Sequence, residues 1–348
     1  MNKFYYLLIF LPISFILSFT NVSPLIKFVT IALAIIPLAG LMGEATEELS
    51  NFFGSKVGGL LNATFGNATE LILAYFALRE GLLEVVKASI AGSIIGNILL
   101  VLGLSMFVGG IKYKTQKFSI HSINMSLGML TVAIIAVIIP AVFTNNIGVT
   151  DTNPIKYENL SVFIAIILFI IYLCNLYFSF HSHKDILGSE HSAVNGKWSL
   201  NKSIAILSVA TLFVAIESNL LVKCIEPMTK ELNLSKLFVG LIIIPIIGNA
   251  AEHSTAVVAA FRNKLDISVE IAIGSSLQII LFVTPVLIIL SLLYTPMALI
   301  FNKYELTALI LAAVIANKVA YDGESNYLEG LQLISVYLIL AMACFIIN

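Results

Sequence analysis

Two carboxylates stand where the surrounding sequence is apolar. Glu70 lies in GLLNATFGNATELIL (59–73), and Glu252 in PIIGNAAEHSTAV (245–257). A charged carboxylate at the centre of a membrane helix is penalised by about 2.5–3.5 kcal/mol on insertion scales. Two that faced each other would also repel. Each Glu follows an Asn by three residues and a Gly by four: Gly66-Asn67-Ala68-Thr69-Glu70 and Gly248-Asn249-Ala250-Ala251-Glu252. Residues at i and i+3 share a helix face, so each Asn–Glu pair points one way. Gly66 and Gly248 allow close approach of another helix and let the backbone bend, freeing carbonyls. Pro245 is a further cause for a break in the second copy. Amide oxygens, freed carbonyls and two carboxylates form an all-oxygen set, which suits hard cations. Ca2+ fits best, because it takes six to eight oxygens in irregular geometry. Two negative charges balance one Ca2+ or two H+, since burial and mutual repulsion favour the neutral acids. Ions that compete for one site meet the minimal requirement for antiport.

The two stretches belong to an internal repeat with an offset of 182 residues, Asn67 to Asn249. Val57-Gly58 and Val239-Gly240 match at this offset, as do Gly92-Ser93 and Gly274-Ser275. The segments Gly92-Ser93-Ile-Ile-Gly96-Asn97 and Gly274-Ser275-Ser276-Leu-Gln278 are small-residue helix faces with one amide each. Small residues permit close packing in lipid, and the amides hydrogen-bond across it. Asn97, Gln278, Ser93 and Ser275 are therefore expected to orient the carboxylates or supply ligands. His253 has no counterpart in the first copy, where Leu71 stands. Its two readings are a proton relay near neutral pH and a packed neutral ring. Glu44, Glu47, Glu48 and Glu217 lie near or within apolar runs and are candidates for the approach to the site. Glu48 is better read as an interfacial charge that reaches water. Two glycosylation patterns, Asn62-Ala-Thr64 and Asn67-Ala-Thr69, fall inside a spanning helix, where no transferase reaches.

These residues need a membrane to position them. Of the 348 residues 59% are hydrophobic and 11% charged, whereas a soluble domain is about one-quarter charged. The net charge of −1 and the lack of a basic tract give no support to nucleic-acid binding. Cys174, Cys224 and Cys344 are scattered, in neither a disulfide nor a zinc pattern. Apolar runs near 4–19, 28–49, 57–78, 86–110, 119–143, 159–180, 203–224, 236–261, 268–292, 297–316 and 329–347 are each long enough to span a bilayer. The fold class is all-α polytopic membrane protein with about 11 transmembrane helices. Residues 1–25 form a peripheral N-terminal helix, 26–180 and 203–348 form two five-helix repeats, and 181–202 is a polar linker. An odd number of helices separates the copies, so the second is inverted. Inverted repeats of this kind place substrate sites near the midplane of secondary transporters. Eleven of the 19 Lys and Arg fall on the side of the N-terminus, including Lys112, Lys114 and Lys117. The positive-inside rule puts that side, with the linker, in the cytoplasm and the C-terminus outside. The linker histidines His181, His183 and His191 are read as solvated.

The sequence resembles the Ca2+/H+ antiporters of the cation/Ca2+ exchanger superfamily. The resemblance is carried by LLNATFGNATELI, PIIGNAAEHSTAV, GSIIGNILLVLG, IAIGSSLQIILFV and LMGEATEEL, and runs from about residue 30 to the C-terminus. It implies ten helices in two inverted halves plus one N-terminal helix, with helices two and seven sliding or rocking. It implies that Glu70 and Glu252 bind Ca2+ and H+ alternately, assisted by Asn67, Asn249 and nearby carbonyls, with Asn97 and Gln278 on flanking helices. One departure is visible: relatives commonly carry Ser-Glu where Ser218-Asn219 stands here, and Glu217 is displaced from that position. The expectation is a transporter and not an enzyme, in a prokaryotic cell membrane, with Ca2+ as substrate and no cofactor. The alternatives are a Na+-coupled Ca2+ exchanger, a Mn2+/H+ antiporter and, further off, a passive channel.

Overall fold

The structure is a computed structural model. It describes residues 3–146, 154–179, 197–319 and 322–346. The linker histidines, with Asp185 and Glu190, lie outside the described residues.

A 3-10 turn, Lys3–Ile9, leads into α1, Phe10–Ser18. There follow α2, Pro24–Phe65; α3, Ala68–Arg79; α4, Leu83–Tyr113; α5, Ile120–Asn146; and α6, Pro154–Tyr177. The second half holds α7, Leu200–Leu232; α8, Lys236–Gly248; α9, Ala250–Phe261; α10, Leu265–Ser291; α11, Lys303–Val319; and α12, Tyr327–Ile346. Among the described residues seven helices are long and apolar enough to cross a membrane, or eight when the bent pair α8–α9 is counted as one span. The remaining expected spans hold shorter or broken helices. The apolar part of the first is only Tyr5–Ser18, α11 begins at Lys303, and the run at 57–78 is interrupted at Gly66–Asn67.

Side-chain caps set many of the ends. The Ser199 hydroxyl accepts from Lys202 N at 3.4 Å, and that of Ser235 accepts from Phe238 N at 3.2 Å. Asn302 and Glu305 form a reciprocal capping box at the start of α11, and Asn326 and Glu329 form another at α12. Within the helical run of α2 the Ser50 hydroxyl donates to the Gly58 carbonyl at 3.0 Å. Eight residues of straight helix rise about 12 Å, so the chain reverses between these two. In the second repeat the same reversal is made between α7 and α8, where Asn233 takes the left-handed conformation.

The repeats interlock. α2 lies along α7, α3 packs on α7, and α9 packs on α2. α4 and α10 are the most deeply buried spans. Glycines bring α4 close to its neighbours: a Cβ at Gly92 would lie 2.1 Å from the Leu241 carbonyl oxygen of α8, and one at Gly330 of α12 would lie 2.3 Å from Phe107 N. A short antiparallel pair, Thr115–Lys117 with Glu324–Asn326, clips the α4–α5 connection to the α11–α12 connection. Lys117 and Glu324 close it with a 2.8 Å ion pair. Gln116, from the middle of that clip, donates to the carbonyl of Ala260 at the end of α9 at 3.0 Å.

Candidate cation site

Both helix pairs that carry the acids break at the asparagine. α8 and α9 meet at Asn249 with a bend of 63°, and Asn67 separates α2 from α3. Asn67 and Asn249 are therefore N-cap residues, and Glu70 and Glu252 occupy the first turns of α3 and α9. The backbone oxygens of Asn67 and Asn249 take the first helical bonds, from Leu71 N and His253 N. Asparagine at this position ordinarily accepts a backbone N–H with its side chain. Neither does so here, which leaves both amides for the site. The positive ends of two helix dipoles are directed at the carboxylates. The last carbonyls of α2 and α8 end at the same breaks without intrahelical donors.

The arrangement has an approximate two-fold relation, seen in reciprocal contacts. The Ser275 hydroxyl lies 2.9 Å from Asn67 Oδ1, and the Ser93 hydroxyl 3.2 Å from Asn249 Nδ2. A Cβ at Gly248 would lie 3.1 Å from Glu70 Oε1, and one at Gly66 would lie 3.7 Å from Glu252 Oε1. Each carboxylate thus rests against the glycine of the other copy. Asn67 and Asn249 have no solvent exposure. Three oxygens, Glu70 Oε2, Glu252 Oε2 and Asn249 Oδ1, are buried with no hydrogen-bond partner among the described residues. Buried polar atoms are nearly always paired. A cluster of unpaired oxygens with two negative charges is a set of donors for a cation.

The flanking amides join in. Asn97 Nδ2 donates to Ser275 Oγ at 3.1 Å, and Asn97 Oδ1 meets His253 Nε2 at 3.3 Å. Asn67 Nδ2 donates to Gln278 Oε1. Asn97 lies in a π-helical stretch, Gly96–Val101, and Gln278 directly precedes another, Ile279–Val283. Such stretches are frequent at functional sites. A narrow cavity beside Glu70 is lined by Ser89, Ser93 and Pro245 among others. Ser89 is a lining residue that sequence reasoning missed, although its spacing of four from Ser93 puts both on one face of α4.

Every residue expected at the site is therefore gathered there: Glu70, Glu252, Asn67, Asn249, Gly66, Gly248, Ser93, Ser275, Asn97, Gln278 and His253. The other acids are held elsewhere. The Tyr5 hydroxyl donates to Glu44. Ser14 Oγ lies 2.9 Å from Glu217 Oε1, which ties α1 to α7. Glu48, expected to reach water, is only 7% exposed. Its carboxylate accepts the backbone N–H groups of Lys197 and Trp198, each at 3.2 Å, so it anchors the segment that enters α7. No cluster of three His, Cys, Asp or Glu occurs among the described residues. The other polar atoms gathered around the two carboxylates are those of amides, hydroxyls and carbonyls.

The family model for sodium/calcium exchanger proteins matches residues 23–181 and 202–346. The chain belongs to that family. It is 44% identical over 98% of its length, and 96% of the relative's, to a protein of Synechocystis sp. named Ca(2+)/H(+) antiporter. It is 43% identical, over all of both chains, to Ca(2+)/H(+) antiporter ChaA of Bacillus subtilis. The solved structure of native YfkE superposes with a TM-score of 0.86 at 42% identity, covering 99% of this chain and all of that one. The resemblance drawn from the GNA-x-E motifs thus holds over the full length, and this family member is an integral membrane protein.

Proposed function

We propose that this protein exchanges Ca2+ for H+ across a membrane by alternating access, with Glu70 and Glu252 as the shared site. The observation that carries this reading is the pair of carboxylates with unpaired oxygens, presented by two broken helices of opposite repeats. The names of the full-length relatives support the choice of ions. Among the described residues neither carboxylate has a cationic side chain in ion-pair contact. In the low dielectric of the membrane interior such a pair must recruit charge. One Ca2+ or two H+ neutralise it, and occupancy by one excludes the other. Asn67, Asn249 and the carbonyls at Gly66 and Gly248 surround the two carboxylates, while Ser93, Ser275, Asn97 and Gln278 orient them. His253 touches this network through Asn97 and relays protons.

The two halves differ in burial. Ala68, Thr69 and Glu70 are buried, whereas Ala250, Ala251, Glu252 and His253 are partly buried. The face at the end of α9 carries Arg262 and Lys112, whose Nζ donates to the Phe261 carbonyl at 3.0 Å. By the charge bias this face is cytoplasmic, with the N-terminus and the linker, in a prokaryotic cell membrane. The deciding experiment is Ca2+ uptake into inverted vesicles driven by an imposed pH gradient. Uptake is expected with the wild-type protein and is lost in Glu70→Gln and Glu252→Gln. Wild-type rates in both variants would remove the proposed site. Uptake driven by a Na+ gradient but not a pH gradient would make it a Na+-coupled exchanger.

A further inference from the structure

Asn67 and Asn249 are equivalent in the repeat and unequal in their bonding. Asn249 Nδ2 donates to the Pro245 carbonyl at 3.0 Å and to Ser93 Oγ at 3.2 Å. A carbonyl only accepts, so the nitrogen must face Pro245 and the oxygen must point away from it. That oxygen is buried and unpartnered, as are Glu70 Oε2 and Glu252 Oε2. Asn67 is used at both ends. Its oxygen accepts from the Ser275 hydroxyl at 2.9 Å, and its nitrogen donates to Gln278 Oε1. Ser275 in turn accepts from Asn97, and Asn97 meets His253. Asn67 is therefore one link in a run of hydrogen bonds that joins the start of α3 to α10, α4 and α9. The symmetric Asn–Ser bond has opposite polarity in the two halves, with the amide oxygen engaged in one and the nitrogen in the other. The sequence supplies the cause. Gln278 occupies the repeat position of Gly96, which has no side chain to take the Asn249 nitrogen, so that nitrogen turns to Pro245.

We infer that Asn249 gives its amide oxygen to the cation, whereas Asn67 is a positioning residue that locks the two halves of the site together. This rests on the carboxylate-pair reading above. Ligand hardness separates the two roles. A sulfur placed at a true ligand position favours a soft cation over Ca2+, whereas a sulfur in the positioning network does not.

The test uses the full-length protein in proteoliposomes, with Cd2+ competing against Ca2+ uptake. Asn249→Cys is expected to raise the preference for Cd2+ about tenfold over wild type, and Asn67→Cys to leave it within about threefold while slowing uptake. Asn249→Ser and Asn67→Ser provide a second measurement should a cysteine variant fail to fold. The KM for Ca2+ rises in the first, and the maximal rate falls at nearly constant KM in the second. Equal Cd2+ shifts, a shift confined to Asn67→Cys, or equal KM changes in the serine pair would overturn the inference. Glu70→Gln and Glu252→Gln in the same assay report separately on the carboxylate pair. If they remain active, that reading fails; if they are inactive and the asparagines behave alike, only the present inference fails.

Discussion

At the scale of residues, the site is built from close approach. Glu70 packs so tightly against Gly248 that an added Cβ would lie 3.1 Å from its Oε1. Gly248→Ala is expected to displace the carboxylate and lower Ca2+ transport severalfold while the protein still elutes as a folded species on size exclusion. Gly66→Ala meets the backbone oxygen of Asn62 at 2.6 Å, which cannot rotate away, so folded yield is expected to fall along with transport. In the proposed mechanism protons and Ca2+ compete for the same carboxylates. The apparent KM for Ca2+ is therefore expected to decrease as pH rises on the loading face, because fewer acids there hold protons. A KM independent of pH between 6 and 9, in uptake assays on vesicles, would rule out a shared site. The glutamates and asparagines were legible in the sequence because an acid in an apolar run is costly and the repeat doubled the signal. The polarity of the two Asn–Ser bonds was not, since it depends on how Gln278 and Pro245 are placed in space.

At the scale of elements, the broken helices do the positioning, and close helix packing fixes them. Gly92 brings α4 against the α8 backbone, where a Cβ would collide with the Leu241 oxygen at 2.1 Å. Overpacking of this kind typically costs about 1–3 kcal/mol. Gly92→Val is expected to lower the detergent-solubilised melting temperature and the folded yield, measured by fluorescence-detected size exclusion. Loss of the α11 capping box through Asn302→Ala should destabilise by about 1 kcal/mol and leave ion selectivity unchanged. The breaks at Asn67 and Asn249 were foreshadowed by Gly66, Gly248 and Pro245. The reversal between Ser50 and Gly58 was marked by the gap between the apolar runs at 28–49 and 57–78, whereas the helical conformation kept through it was hidden, because nothing in composition distinguishes it from a loop. The Thr115–Lys117 strand was equally hidden, since three residues carry too short a period to read and its partner lies more than two hundred residues away.

At the scale of the whole molecule, two interlocked repeats bring Glu70 of one and Glu252 of the other to a common centre. The orientation proposed from charge predicts opposite labelling. Cysteines substituted at Lys114 and at Lys230 should react with a membrane-impermeant maleimide only from inside and only from outside the cell, respectively. Reaction of both from one side would overturn the topology. The apolar runs were plain in the sequence, but their lengths blurred which were full spans, because the broken and the short helices look alike in composition. The N-terminal segment illustrates what composition hides. It grips α2 through Tyr5 and Glu44, and grips α7 through Ser14 and Glu217, while Ser23, at the start of α2, holds Glu231 of α7 at 2.6 Å. A rearrangement that shifts α2 and α7 together must carry α1 with it. A fluorophore on the exposed Thr20 would therefore report each turn of the transport cycle from a position outside the ion path, and would do so without touching a single ligand.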